Sequence, residues 1–168
     1  MRHYALVTLV IVAIIGNSGS AKVFHGKDPE TGAMIYRASV DTITPPKSIE
    51  IGLQIVHIHD TGVVTIAFTS FDDKLKDLDT SSAVLIVDNQ RIALTFKAYH
   101  ALIISKDLPP IHQLWFAPLN GEMVVKIKEA QRMSIEISTI SGIPMKRDLS
   151  TLALSDVKEV IRGDPTKQ

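Results

Sequence analysis

Apolar residues recur at every second position in several stretches of this 168-residue chain, and a period of two leaves few folds open to it. Ile49, Ile51, Leu53 and Ile55 alternate with Glu50, Gly52 and Gln54. Val64, Ile66 and Phe68 alternate with Thr65, Ala67 and Thr69, and Met133, Ile135 and Ile137 alternate with Ser134, Glu136 and Ser138. Successive side chains of a strand point to opposite sides, so each run predicts a strand with one apolar and one wet face. Asp60-Thr61-Gly62 separates the first two runs and predicts an antiparallel hairpin. Asp88-Asn89, between residues 83–87 and 91–98, predicts a second hairpin in which Ile92, Leu94 and Phe96 share a face.

The rest of the chain fills in around these strands. Residues 22–30 are polar, with turn residues at Asp28-Pro29, and read as a loose start before a strand at 33–39. Residues 72–82 are rich in charge and read as a connecting loop that tucks in Leu75 and Leu78. Shorter strands are expected at 101–104 and 114–117, either side of the Asp107-Leu108-Pro109-Pro110 break. Asn120 suits an N-cap for a helix in which Met123, Val124, Ile127 and Ala130 recur at helical spacing. Gly142-Ile143-Pro144 marks a turn, Lys146-Arg147 beside Asp148 reads as a solvated loop, and a last helix is placed from about Ser155 to a stop at Gly163. The fold class that follows is mainly β: a single antiparallel sandwich or partly open barrel carrying one or two short helices.

At the N-terminus, Arg2 and the apolar run 5–15 lead into Gly19-Ser20-Ala21, the layout of a secretory signal peptide. The run is too short for a helix that must cross about 30 Å of hydrocarbon, so cleavage after Ala21 and a single β-rich domain over residues 22–168 are expected, with no membrane anchor left. The chain has no cysteine, which removes disulfides, zinc-thiolate sites, thiol catalysis and lipid attachment. Lys and Arg number 18, as do Asp and Glu, so nothing favours a nucleic acid as partner. An exported, cysteine-free chain without an Asn-x-Ser/Thr acceptor fits the periplasm or another bacterial envelope space.

Chemistry-bearing motifs are few. His57-Ile58-His59-Asp60 stands out, because strand residues two apart point to one side and two imidazoles beside a carboxylate are metal-ligand types. A third histidine would have to come from His25, His100 or His112. The competing reading has His57 and His59 finish an apolar strand face at the hairpin end. No Gly-x-Ser-x-Gly elbow marks a serine nucleophile, and Asp72, Asp73, Asp77 and Asp79 lie in a hydrophilic stretch without the apolar surroundings that raise a carboxyl pKa. The glycines are dispersed, so no phosphate-cradling loop is present, and no cofactor is expected. Trp115-Phe116 is assigned to core packing, with an aromatic contact surface as the alternative.

Over residues 83–161, about half the chain, the order of parts resembles the invasion-associated locus B type of small exported bacterial proteins. The matching features are the Asp88-Asn89-Gln90 turn, the segment leading into the strand at 133–138, and Asp148-Leu149-Ser150 before Ala153-Leu154 and a closing helix. The resemblance implies a signal-bearing β-sandwich domain with no assigned catalytic residue. The cysteines common in that family are missing here, and no site is carried over. The expected function is that of an exported, soluble, non-enzymatic binding module for an envelope protein or a small ligand. The alternative is a metal-binding protein or metal-dependent hydrolase built on His57, His59 and Asp60.

Overall fold

A computed structural model describes residues 21–27, 32–43, 51–70, 77–99, 103–105, 108–111 and 113–163. Residues 1–20 of the expected signal segment, the Asp28-Pro29 turn, Ile49, Asp72, Asp73, Leu75, His100 and His112 lie outside the described residues. Twelve strands and two helices are present among those described, and the fold is mainly β, as the alternating runs predict. The strands are β1 (Lys22–Lys27), β2 (Met34–Ile43), β3 (Ile51–Ile58), β4 (Val63–Ser70), β5 (Leu78–Val87), β6 (Gln90–Ala93), β7 (Lys97–Tyr99), β8 (Ile103–Ser105), β9 (Leu108–Ile111), β10 (Gln113–Leu119), β11 (Met133–Thr139) and β12 (Pro144–Asp148). The helices are α1 (Gly121–Glu129) and α2 (Thr151–Arg162).

Six strands form one sheet in the order β1-β2-β3-β4-β10-β7, four form a second in the order β12-β11-β5-β6, and β8 pairs with β9 alone. Among the described residues all pairings are antiparallel, and neither large sheet closes into a barrel. Register puts Ala38, Ile55 and Ile66 side by side across β2, β3 and β4, with Val40, Leu53 and Phe68 as the next row. These side chains join Leu85, Ile135 and Ile137 of the four-stranded sheet and Leu154, Val157 and Ile161 of α2 in one core. The chain passes between the sheets after β6, where Phe96 stacks on Phe68 with ring centroids 4.9 Å apart.

Several expectations need correction, among them the Asp107-Leu108-Pro109-Pro110 break, whose residues from Leu108 on form β9 paired with β8, and the strand over 91–98, which ends at Ala93 where the chain leaves for the other sheet. Residues 22–27 pair with β2 from Lys22 opposite Ser39 to Lys27 opposite Met34, so a segment polar in sequence is a strand because its neighbour supplies the ladder. The loop expected at 72–82 yields to β5 from Leu78 onwards, with Leu78 buried as foreseen. Lys146-Arg147 belongs to β12, an edge strand paired with β11, in place of a solvated loop. The last helix begins at Thr151, four residues before Ser155, because the Ser150 side chain accepts from the Ala153 amide and caps it. The opposite face of β3 is not wet either: Gln54 is only 3% exposed, and Val56, Ala67 and Arg37 are buried beside it.

Several local signals are realised as read. Asn120 caps α1 by accepting from the Met123 amide at 2.9 Å, and Ile127 and Ala130 are buried. The Asp88-Asn89 turn carries positive φ at both residues (46° and 71°), the pairing that lets a two-residue hairpin follow strand twist. Asp88 also ties the turn to the residues that lead into the neighbouring strand β11: its Oδ1 accepts from the amides of Gln131 and Arg132, each at 2.8 Å, while its own amide donates to the Arg132 carbonyl.

These packing terms differ in size, and stability should rank them. Asn120→Ala and Ser150→Ala each remove one cap and are expected to cost about 1 kcal/mol in urea unfolding. Phe68→Ala deletes a fully buried ring at the junction of the sheets and is expected to cost about 3–5 kcal/mol.

Candidate functional site

β3 ends at Ile58, and the chain turns through a single 3₁₀ turn (His59–Thr61) closed by Gly62 at φ 66°. His57 is therefore the last inward-facing residue of the strand and is 8% exposed, whereas His59 sits in the turn and is exposed. The C-terminal end of α2 lies against this corner. His57 Nδ1 is 3.0 Å from the Val160 carbonyl oxygen, and since a carbonyl only accepts, Nδ1 carries the proton and donates. Val160 is one of the last helical carbonyls, which have no partner further along the helix; the Gly163 amide also donates to it, at 3.1 Å.

Around that bond three rings form a small cluster. Tyr36 lies opposite His57 in the ladder, with centroids 6.1 Å apart, and meets His59 edge-on at 5.7 Å. Gly163 closes the cluster at φ 66°, in the left-handed region that L side chains rarely adopt. A Cβ there would lie 3.0 Å from His57 Cε1 and 3.1 Å from His59 Nδ1. The glycine read from sequence as a helix stop thus has a second reason: a Cβ there would press on the imidazoles, which would have to give by a few tenths of an ångström. Burial pushes the His57 pKa down, the Val160 carbonyl pulls it up, and the positive charges of His59 and Lys128 push it down again, with a net fall.

Of the motif's side chains, His57 is the one that bonds to α2. Asp60 Oδ2 accepts from the Met34 amide at 3.3 Å, so its carboxylate is engaged at the start of β2. His25 is exposed on β1, opposite Tyr36, two strands from His57, which is about 10 Å at ordinary strand spacing. Among the described residues no three His, Asp or Glu side chains come together to hold a metal ion. Asp77 and Asp79 flank Leu78 at the start of β5, where Asp79 Oδ1 accepts from the Ser81 amide. Trp115 packs half-buried against the core on the same side as Phe68.

A different surface stands out at the opposite extreme of burial. The hairpin joining β11 to β12 presents Ile140 at 72% and Ile143 at 49% exposure. Its backbone is nonetheless tightly held. The Gly142 amide donates to the Thr139 carbonyl at 2.8 Å, and the Thr139 amide to the Ile143 carbonyl at 2.9 Å. The Ile143 amide donates to Thr139 Oγ1 at 2.9 Å, and the Ile140 amide donates to the Asp77 carbonyl at 2.7 Å, tying the tip to the start of β5. Thr139 Oγ1 also pairs with Ser141 Oγ at 2.8 Å. Reading Gly142-Ile143-Pro144 simply as a turn missed this; the available signal was two isoleucines bracketing a turn that needs no apolar residue. Beside the tip, β12 is the terminal strand of its sheet among the described residues.

No family model, curated protein or solved structure matches the chain. Among the described residues, no helix is long and apolar enough to cross a membrane.

The fastening of α2 can be measured by a double-mutant cycle. His57→Ala is expected to cost about 1–3 kcal/mol through the lost buried bond to Val160, and Gly163→Ala about 1–2 kcal/mol through backbone strain and the close Cβ. The double change should cost less than the two together, because removing the ring relieves the contact and leaves the strain. Since the folded state resists protonating His57, that part of the stability is fully present above the ordinary imidazole pKa of about 6.5 and is lost as pH falls below it. Urea unfolding at about pH 7.5 and about pH 5.5 should show this loss in the parent chain and a smaller one in His57→Ala. Stoichiometric zinc or copper is expected to leave the melting temperature unmoved; a large rise, abolished by His57→Ala with His59→Ala, would show instead that a ligand set is completed there.

Proposed function

We propose that this chain is an exported, soluble envelope protein that acts as a non-enzymatic binding module, with the β11–β12 hairpin tip as its contact surface. The observation that carries the reading is the pairing of exposure with rigidity at that tip. Leaving isoleucine in water forgoes about 1.5–3 kcal/mol per side chain relative to burial. Here two such side chains are held out on a backbone whose amides at 139, 140, 142 and 143 are all bonded within the chain. A loop already ordered has little entropy left to lose when it is covered, so most of the burial gain is available to an interface.

Shape favours a protein over a small ligand as the partner. Small-molecule sites are concave, whereas a hairpin tip projects, and projecting apolar anchors fill pockets on a partner. The terminal strand β12 adds a backbone edge next to the anchors. Pro144 at its start and the Lys146–Asp148 ion pair along it discourage indiscriminate strand pairing, which suits a module meant to stay soluble alone. Export is supported by the Arg2, apolar run and Gly19-Ser20-Ala21 layout, and the likeness to the invasion-associated locus B type of exported proteins points the same way.

The reading is tested by site-specific photo-crosslinking in envelope extract, with the crosslinker at position 140 and, as control, at the exposed Gln131. A discrete adduct from position 140 that is lost with Ile143→Ser, while the melting temperature of Ile143→Ser stays within about 0.5 kcal/mol equivalent of the parent, supports the tip. Identical adduct patterns from both positions would sink it.

A further inference from the structure

We infer that the bond between Ala21 and Lys22 is a processing site open to a signal peptidase only before the domain folds. This rests on the export reading above. Ala21, the residue expected on the amino side of the cut, is 7% exposed and belongs to the core shared by the two sheets and α2. Lys22, on the other side, is already the first residue of β1 and lies opposite Ser39, with Val23 opposite Ala38 and the pairing continuing to Lys27. No residue intervenes between the scissile bond and the sheet.

Proteases take their substrates as extended segments, and extended segments are bound through their backbone edges. Residues 22–27 have one such edge committed to β2, and the Ala21 methyl is committed to the core. The peptidase and β2 therefore claim the same stretch of chain. Hydrolysis adds water to the Ala21 carbonyl, breaks its bond to the Lys22 nitrogen, and leaves a carboxylate on the released segment and an amine on Lys22. Once β1 has paired, reaching the carbonyl requires undoing that strand, so cleavage follows the small population of chains in which it is open. A chain that folds first is trapped as a precursor with Ala21 in its core.

The experiment uses the full chain in detergent micelles with a purified bacterial type I signal peptidase and reads the product by intact mass. Leu53→Asp places a charge at a fully buried position and supplies an unfolded comparator, verified by circular dichroism. A third form carries about six Gly and Ser residues inserted between Ala21 and Lys22, which moves the bond off the sheet while the domain stays folded. The folded parent is expected to be cut at least about tenfold more slowly than Leu53→Asp, and the linker form to recover the fast rate. Equal rates for parent and Leu53→Asp would overturn the inference, as would a linker form that stays resistant. Failure to cut Leu53→Asp after Ala21 at all would overturn the export reading, and the inference with it.

Discussion

The seating of α2 on the six-stranded sheet is the contact on which the rest of the molecule depends. Without it Tyr36, Ala38, Leu53 and Ile55 would lose a share of their cover, since Val157, Val160 and Ile161 enter the same core. A helix of twelve residues is too short to hold itself together in water, so its order derives from this docking. Its two ends are finished in opposite ways. Ser150 satisfies an early amide locally, whereas the late carbonyl of Val160 is satisfied by His57, a residue 103 positions away in sequence. The local bond sets where the helix starts, and the distant one sets where it lies.

That difference explains what could be read from the chain beforehand. Periodicity of two located β3, β4 and β11, because in each the apolar face is written in consecutive residues. Asn120, Gly163 and the Asp88-Asn89 turn were equally legible, each being a local backbone demand met by a residue suited to it. What escaped was whatever a neighbour decides. β1 is a strand because β2 offers it a ladder, and β12 because β11 does, although neither segment alternates strongly. Gln54 reads as a solvent-facing residue by its position between Leu53 and Ile55, yet it is buried together with Arg37, Val56 and Ala67, which alternation along its own strand does not reveal.

The histidine motif adds a case from the side of chemistry. Two imidazoles and a carboxylate in four residues satisfy the composition of a metal site, but composition does not say what each atom faces. His57 Nδ1 faces a helix end, Asp60 faces the Met34 amide, and His59 lines the gap left by a glycine. The hairpin tip is the reverse case, an unremarkable turn in sequence that the fold leaves apolar, ordered and uncovered.

The Asp88 turn has a consequence for how the molecule comes together. A hairpin wanting only its turn would favour glycine at the positive-φ positions, and Asp88 and Asn89 accept strain that glycine would avoid. The carboxylate of Asp88 holds the amides of Gln131 and Arg132, where α1 gives way to β11, so the strained residue also joins segments more than forty positions apart. β5 pairs with β6 through this turn and with β11 beside it. The hairpin thus reaches its full stability only when the middle of the sheet is laid down, which makes β5, β6, the end of α1 and the start of β11 one cooperative unit, gained and lost together.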